Sequence, residues 1–421
     1  MNSTCKLWTV RITVAACCLL SVWSISTRLQ NTLPRAGTWD YPVFISYAEQ
    51  FIQSGNIYDR NLNHYTPGAA TYKFPPLSGA ILVAAMKAGI TTEMLKKIGA
   101  LLQLAGFFGG ILWLTLYFLS EHRRQACALA LCISATLLPT LEENLLRLQL
   151  EPALFFLLIS ATIFTCRKNN FYAGIAIGVA TALKIYPILA VLFFFITRKK
   201  TSIIGVAISL VICSIFSLSI LGVEESIFFY KEVFPIISNE PPELDAENIS
   251  TALLLAATKP ESNINHLTTL LRFVFFALQI VFYMIFIKKI THIRNRESAT
   301  MEAIIFTAFI PCVIASSPNA WWNYQLLLAI PLTLLSCLLT RNTNTTNNTA
   351  TLLQLALLLL TFASLHITSA ITVDDQFYSS SFIEKVVFLI TRIFTQLLVI
   401  LLIGAAVFHH IKKARTISGS G

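Results

Sequence analysis

One acidic residue, Asp40, precedes a short amphipathic stretch after the first apolar segment, GTWDYPVFISYAEQFIQSGNIY at residues 37–58. Apolar residues recur there at helical spacing, and Gly55 is typical of a helix end, so the pattern predicts a helix that begins beside Asp40. A carboxylate held at a membrane surface could be the general base that accepts a proton from an acceptor hydroxyl. The structural alternative is that Asp40 caps the helix by accepting backbone N–H bonds, with Pro42 in the first turn.

Lys184 interrupts the apolar stretch at residues 171–197, and Pro187 follows it closely. A lysine at the bilayer centre costs about 2.5–3.5 kcal/mol on insertion scales, and proline disfavours a helix interior. We therefore expect two short spans that turn at Lys184 and place its ammonium group at the outer face. There the ammonium group could bind a phosphate, and the alternative is a lysine that simply snorkels to the interface.

Two further cations are candidate phosphate ligands, because they lie in polar stretches expected on the same side. Lys73 lies in TYKFPPL, and Arg147 lies in EENLLRLQLE. Lys73 could instead be a snorkelling interface residue. Glu143, Arg147 and Glu151 are spaced four residues apart, so a self-paired surface helix is the alternative for the second stretch.

Aromatic and polar side chains near these positions are candidates for binding the sugar or the acceptor of a transfer reaction. They are Tyr41, Tyr58, Tyr72, Glu142, Gln149, Glu151, Asn248, Trp321, Trp322 and Tyr324. Asn248 could equally be a helix cap or part of a sequon, and the last three could form an aromatic belt at the membrane interface. No Asp or His cluster has metal-ligand spacing, so the sequence predicts no cofactor and no obligatory metal.

The composition predicts that the chain is an all-α polytopic membrane protein, whose helices position these residues. Of 421 residues, 55% are hydrophobic and only 12% are charged, and apolar runs recur at the length that spans a bilayer. The formal net charge of +10 is spread over short clusters between apolar segments, which argues against a nucleic-acid-binding protein. The nine cysteines lie in or beside apolar segments, so neither a disulfide framework nor a thiolate metal site is expected.

The apolar segments predict twelve spanning helices, with both chain ends inside. They lie at about residues 7–26, 95–119, 126–141, 152–166, 171–183, 186–197, 202–222, 268–288, 301–316, 322–339, 351–372 and 384–408. This assignment places clusters such as Arg123/Arg124 in short inner loops, as the positive-inside bias requires. Residues 76–90 are apolar but short, and they predict a helix in the outer interface.

The predicted outer loops are the places where chemistry is expected. They are residues 27–94, 142–151, 223–267, 317–321 and 373–383. The N-terminal segment is predicted to be a retained span rather than a cleaved signal peptide. Residues 418–421 are interpreted as a remnant of cloning.

The order of these motifs resembles the GT-C superfamily, specifically glycosyltransferase family 87, which includes mycobacterial phosphatidylinositol-mannoside mannosyltransferases and some arabinofuranosyltransferases. The similar features are Asp40 after the first span, YKFPPL, GIAIGVATALKIYP, NIS and SPNAWWNY. The resemblance covers about residues 36–330. The family often has G-Q-x-N where this chain has RLQLEP, which retains Gln149 and places Glu151 at the Asn position. That departure bears on the sugar or acceptor more than on the fold.

The resemblance implies a GT-C fold with a conserved transmembrane module at residues 1–222, which contains interfacial helices in the outer loop 27–94. An outer loop at 223–267 and variable C-terminal helices at 268–417 would follow. The implied activity moves one sugar, mannose or arabinofuranose, from a polyprenyl-phosphate donor to a lipid, glycan or protein hydroxyl, with inversion. Asp40 would be the base and Lys184 would hold the donor phosphate, outside the cytoplasm at a bacterial inner membrane.

Two other functions compete with this interpretation. A lipid or sugar transporter or flippase would share the outer aromatics, the broken helix and the intramembrane lysine, but transporters often carry paired broken helices and the sequence shows one break. A polymerase or ligase that uses pyrophosphate-linked oligosaccharides would be expected to carry a large outer loop late in the chain, where residues 373–383 are short.

Overall fold

The computed structural model describes residues 3–65, 71–239, 298–316 and 322–342, with a few positions between 274 and 288 and between 399 and 403. Throughout this part of the chain the regular structure is helical, which confirms an all-α fold. The predicted helices at 351–372 and 384–408 lie almost wholly outside the described residues, as do Asn248 and Trp321.

The helices are named here in chain order. They are α1 Ser3–Thr32, α2 Tyr41–Ser54, α3 Pro76–Lys87, α4 Thr92–Phe118, α5 Arg123–Thr136, α6 Leu138–Arg147, α7 Glu151–Cys166, α8 Asn170–Leu183, α9 Ala190–Ile196, α10 Lys200–Phe228, α11 Phe234–Asn239, α12 Ser298–Thr307, α13 Phe309–Ser316 and α14 Ala329–Asn342. Short 3₁₀ turns include Tyr186–Leu189 before α9 and Trp322–Leu328 before α14.

Helices long and apolar enough to cross a membrane are present, which is consistent with a membrane protein. In the described residues they are Thr92–Phe118 and Lys200–Ser238, and α5 with α6 would make a third if the bent pair is one span. The other apolar helices found there are shorter than 18 residues, and α1, at 30 residues, is not among the candidate spans. The structure therefore supports a helical membrane protein, and the number twelve is not confirmed.

Close backbone contact between α8 and α10 organises the bundle, and small residues make it possible. A Cβ atom added to Gly178 would lie 1.9 Å from Ser209 Oγ, and one added to Gly174 would lie 2.0 Å from the carbonyl oxygen of Ser202. Gly205 on α10 has no more room, because its Cβ would be 2.3 Å from the carbonyl oxygen of Phe171. Helices in membranes gain packing energy through such close approach, since lipid provides little hydrophobic driving force between them.

Several local predictions are confirmed. Gly55 ends α2 in the left-handed conformation, with φ +82°. Residues 76–87 of the predicted 76–90 segment form a helix, α3. The apolar stretch at 171–197 breaks where expected, because α8 ends at Leu183 and Lys184 is extended with φ −145° and ψ 134°.

Other boundaries were predicted wrongly. The stretch at 142–151 is not a loop, because α6 continues to Arg147 and is bent by 58° from the helical segment before it. Glu143, Arg147 and Glu151 do not share a helix, because Leu148 adopts φ +52° and ends α6. The helix predicted at 202–222 is interrupted at its predicted end, Gly222, and helical structure then resumes as far as Phe228. The segment at 301–316 forms two helices, and the one at 322–339 starts as a 3₁₀ turn.

The bundle has two chemically different ends. The connections α4–α5, α7–α8 and α9–α10 carry the basic clusters, and there Lys199 pairs with Glu302 while Arg167 lies 5.1 Å from the Tyr117 ring centroid. We call this the basic end. The opposite end carries the α6–α7 and α8–α9 connections together with the segment between α1 and α4, and we call it the site end.

Candidate active site

The connection between α6 and α7 is the centre of the candidate site, and backbone hydrogen bonds fix the chain before α2 onto it. The N–H of Gly37 donates to Leu145 O at 2.8 Å, and the N–H of Trp39 donates to Leu146 O at 3.2 Å. Gly37 has φ +65°, and a Cβ there would lie 2.5 Å from a methyl carbon of Leu148. Only glycine therefore brings this segment close enough to deliver Asp40 to the connection.

Asp40 directs its carboxylate at the α6–α7 connection instead of capping α2. The Oδ1 atom lies 3.4 Å from Arg147 Nη1, and Gln149 Nε2 donates to Oδ2. The side chain makes no hydrogen bond to the first turn of α2, so the alternative of a capping side chain is wrong. Its side chain is 30% exposed, which leaves the carboxylate accessible to a ligand.

Arg147 contacts two carboxylates and an aromatic ring. Its Nε donates to Glu143 Oε1 at 2.6 Å, while its guanidinium carbon lies 4.9 Å from the Trp39 ring centroid. The i, i+4 pair with Glu143 belongs to the alternative of a self-paired helix, and it forms within α6. The guanidinium group of Arg147 thus interacts with Glu143 and Trp39 as well as with Asp40.

Lys184 forms the second polar centre, deeper in the protein. Its residue is only 7% exposed, and Nζ donates to Glu151 Oε1 and to the Tyr324 hydroxyl at 3.2 Å. The rings of Tyr324 and Phe74 lie 4.3 and 5.3 Å from Nζ, so aromatic faces cover part of the ammonium group. Within the described part of the chain, two buried oxygens here have no hydrogen-bond partner: Glu151 Oε2 and the Tyr186 hydroxyl.

The two centres belong to one site, because the same short segment holds both. Gln149 bonds Asp40, and Glu151, two residues later and at the start of α7, bonds Lys184. Asp40 and Lys184 therefore lie at the same end of the bundle, on either side of residues 149–151. A partly exposed carboxylate beside a buried cation can accept a proton at one point and neutralise an anion at another.

Comparison with known families identifies the chain's relatives. A model of glycosyltransferase family 87 matches residues 72–317, which is more than half of the chain. The chain belongs to glycosyltransferase family 87. A comparison with curated protein sequences gave no match. The matched range contains Arg147, Glu151 and Lys184, whereas Asp40 and α2 precede it and Tyr324 follows it.

Membership of family 87 shows that this GT-C-type protein is a glycosyltransferase, which favours transfer over transport. Within the described residues, no three His, Cys, Asp or Glu side chains come together as they would at a metal site.

Three tyrosines predicted to bind sugar or acceptor have structural partners in this family 87 protein. The Tyr41 hydroxyl donates to Thr92 O at 2.5 Å, and burial, with a smaller effect of Glu93, raises the pKa of Tyr41 to about 12. Tyr58 and Tyr72 are fully buried, and burial raises the pKa of both hydroxyls. Tyr58 donates to Phe74 O at 2.9 Å, and Tyr72 shares a 2.8 Å hydrogen bond with Ser78, so their hydroxyls hold the loop before α3.

The remaining predicted residues divide between the site and other places. Glu142 accepts hydrogen bonds from Arg28 Nη1 at 2.8 Å and from Thr32 at 3.1 Å, so it joins α6 to α1 and does not face Lys184. Lys73 is half-buried next to Phe74, whose ring covers Lys184. Trp322 begins the 3₁₀ turn that carries Tyr324.

Glu225 is a residue that sequence reasoning missed. It is 2% exposed, and its Oε2 accepts the N–H of Ile57 at 2.8 Å and of Tyr58 at 3.2 Å. Its Oε1 accepts from Arg60, whose guanidinium carbon lies 4.1 Å from the Phe228 ring centroid. The signal was the Glu224-Glu225 pair in the apolar run GVEESIFF, a costly position for acids unless they are paired.

Proposed function

We propose that this family 87 glycosyltransferase moves a single sugar, mannose or arabinofuranose, from a polyprenyl-phosphate donor to an acceptor hydroxyl, with inversion. The acceptor is a lipid, a glycan or a protein. The observation that carries the proposal is that Asp40 and Lys184 flank the same residues, 149–151, at one end of the bundle. One group is placed to accept a proton and the other to hold a phosphate.

The proposed reaction needs only one base. The acceptor oxygen attacks the anomeric carbon while the bond from that carbon to the phosphate oxygen breaks, and the acceptor's proton passes to the Asp40 carboxylate. An inverting displacement uses one such base on the face opposite the leaving group. The leaving polyprenyl phosphate takes up the electron pair and needs cations rather than an acid, which is the role given to Lys184.

The hydrogen bonds of Lys184 support a phosphate-binding role. An ammonium group has three N–H donors, and the contacts with Glu151 and Tyr324 use two. A donor phosphate would take the third or displace the Glu151 carboxylate. The aromatic rings exclude water, which strengthens the interaction between the cation and a departing phosphate.

The charge distribution supports an active site outside the cytoplasm of a bacterial cell. The basic end carries Arg123, Arg124, Arg167 and the Lys199/Lys200 pair, which the positive-inside bias places in the cytoplasm. The site end, with Asp40 and Lys184, would then face outward. Polyprenyl-phosphate sugars at that face would be the donors available to it.

The test compares Asp40→Asn with Glu49→Gln in proteoliposomes supplied with mannose or arabinofuranose linked to polyprenyl phosphate. Glu49 is an exposed acid on the same helix, α2, so it controls for loss of charge alone. We expect Asp40→Asn to fold normally and to lose roughly 10²–10⁴-fold in transfer rate. Full transfer by Asp40→Asn would overturn the base assignment, and transfer from nucleotide sugars alone would overturn the donor class.

No metal ion is needed for the proposed chemistry, because Lys184 neutralises the leaving phosphate. We expect the transfer rate to be unchanged by EDTA. A rate that falls with EDTA and returns with Mg²⁺ or Mn²⁺ would contradict this part of the proposal.

A further inference from the structure

A buried glutamine, Gln103, lies near the middle of α4, one of the helices long and apolar enough to cross a membrane. The residue is only 6% exposed, and its Nε2 atom donates to the carbonyl oxygen of Gln149 at 2.9 Å. Polar side chains in such helices are costly and frequently mark functional sites. The proposed reaction does not account for this bond.

The bond reaches the connection between α6 and α7, where the candidate site is centred. Because α6 ends at Arg147 and α7 begins at Glu151, the Gln149 carbonyl lies between the two helices. A carbonyl group outside a regular helix needs a donor from elsewhere in the protein or from water. Gln103 supplies that donor from α4, 46 residues away in sequence.

Small residues bring α4 close to the same connection. A Cβ atom added to Gly99 would lie 3.0 Å from a methyl carbon of Leu148, and one added to Gly106 would lie 2.9 Å from the Pro152 carbonyl oxygen. Gly99, Gln103 and Gly106 are spaced four and three residues apart, so they share one face of α4. That face therefore follows the whole connection, with the amide of Gln103 at its centre.

The orientation of the Gln103 amide is set by its bond to Gln149. Reversing the amide would place Oε1 against the Gln149 carbonyl oxygen, and two acceptors cannot form a hydrogen bond. In the orientation observed, Oε1 is buried and has no partner among the residues that the structure describes. A buried oxygen without a hydrogen bond costs free energy, which an apolar side chain would avoid. The glutamine therefore contributes through its bond to Gln149 rather than through packing.

Gln149 connects this contact to the candidate base. It accepts the bond from α4 through its backbone, and its side-chain Nε2 donates to Asp40 Oδ2. The chain before α2 is held separately, because the N–H groups of Gly37 and Trp39 donate to carbonyl oxygens of α6. Gln103 therefore constrains the Asp40 carboxylate rather than the start of α2.

The Lys184 ion pair is held by other contacts. Its partner Glu151 is the first residue of α7 and is fully buried. The next residue, Pro152, packs against α4 at Gly106. Loss of the Gln103 bond should therefore disturb the base and leave the phosphate site in place.

We propose that Gln103 is a positioning residue, which orients Gln149 and thereby places the Asp40 carboxylate against the acceptor hydroxyl. The inference rests on the proposed function, which makes Asp40 the base. Misplacing a reacting group by about 1 Å costs on the order of 10²-fold in rate. A smaller loss, about tenfold, is expected here because Arg147 still contacts Asp40.

The test replaces Gln103 with methionine, which has a similar length and no N–H donor, and uses Thr115→Val as its matched control. Thr115 is also a buried hydrogen-bonding residue on α4, but its hydroxyl donates to Ile111 O and Leu112 O of the same helix. Transfer is measured at saturating donor in the same proteoliposomes as Asp40→Asn. Donor affinity is measured with the sugar-free polyprenyl phosphate.

We expect the rate and the affinity to respond differently. Gln103→Met should lower the transfer rate about tenfold and leave the Kd of polyprenyl phosphate within about twofold, whereas Thr115→Val should change neither. Gln103→His, which keeps an N–H donor, should recover part of the lost rate.

Hydrogen–deuterium exchange adds a measurement that does not depend on activity. The N–H of Gln149 donates to Asn144 O at 3.2 Å, so its exchange rate reports on the connection. Residues 145–150 should exchange faster in Gln103→Met than in Thr115→Val.

Each outcome decides the proposal. Wild-type transfer by Gln103→Met, or a donor affinity that falls as far as its rate, would show that Gln103 does not position the base. If Gln103→His is no faster than Gln103→Met, the N–H donor is not responsible, and the proposal fails. A folded yield that falls only in Gln103→Met would assign the bond to stability instead.

Failure of the proposed function is a separate result. Wild-type protein that transfers no sugar from polyprenyl phosphate would overturn that function. The exchange comparison would then still decide whether Gln103 holds Gln149 in place.

Discussion

Glu225 is expected to hold the first loop of the site end in place, so Glu225→Ala should destabilise that loop. The carboxylate accepts two backbone N–H groups from Ile57 and Tyr58, both fully buried. Through the Tyr58 hydroxyl the same contact reaches Phe74 O, and the Phe74 ring covers Lys184. The effect should therefore extend from the loop to the phosphate site.

The magnitude follows from what the alanine leaves behind. A buried N–H that loses its acceptor costs about 1–3 kcal/mol, so the two amides together cost about 2–6 kcal/mol. The pair with Arg60 adds little, because the Arg60 side chain is 34% exposed and can turn to water. The two amides therefore dominate the expected loss.

Glu224 provides the control. It lies 3.3 Å from the same Arg60 nitrogen, but its side chain is 86% exposed and it accepts no backbone N–H from the part of the chain that the structure describes. We expect Glu224→Ala to change the free energy of unfolding by less than about 1 kcal/mol in mixed detergent micelles. Hydrogen–deuterium exchange of residues 55–60 should accelerate in Glu225→Ala alone.

Equal exchange rates in the two variants would refute the reasoning, because they would show that the buried carboxylate does not hold the amides. An equal loss of free energy of unfolding in both variants would assign the effect to Arg60 instead.

Three further outcomes are expected. Gly178→Ala should weaken the α8–α10 contact and lower thermal stability, because its Cβ would lie 1.9 Å from a hydroxyl oxygen. The control is Gly109→Ala, whose Cβ would have no atom within 4 Å, and it should be neutral or slightly stabilising. Lys184→Met should lower folded yield, because breaking a buried ion pair costs about 3–5 kcal/mol, and adding Glu151→Gln should restore part of it. The pKa of Tyr41 rises from 10 to about 12 on folding, so the free energy of unfolding should fall as the pH rises from 10 to 12. Tyr41→Phe should make the free energy of unfolding less dependent on pH in that window, and an unchanged pH dependence would contradict the assignment.

Much of the local structure could be predicted from the sequence, because its causes are local. Apolar residues at helical spacing and a final glycine are sufficient to define α2, and an intramembrane lysine followed by proline is sufficient to break the stretch at 171–197. Where local causes were absent the predictions were wrong. Leu148 ends α6 in a left-handed conformation that nothing about leucine favours, and its side chain packs against Gly37, which is distant in sequence.

The candidate site could be predicted only in part from the sequence. Asp40 and Lys184 stood out because charges are costly beside apolar segments, but their partners did not. The structural alternative for Asp40 was a cap on its own helix, and the carboxylate bonds instead to Arg147 and Gln149, which are distant in sequence. Glu151 was predicted to bind sugar, and the structure gives it an ion pair with Lys184.

By itself the sequence determined that the chain is helical and apolar and where charged residues interrupt its apolar segments. It also singled out Asp40 and Lys184 as candidate site residues, because hydropathy and helix signals act over a few residues. Only the tertiary structure decided what those charges contact. Glu224 and Glu225 are identical neighbours, yet one side chain is 86% exposed and the other 3%. Helix packing alone selects which carboxylate faces the buried amides, since that choice depends on a rotation around α10 that no local pattern encodes.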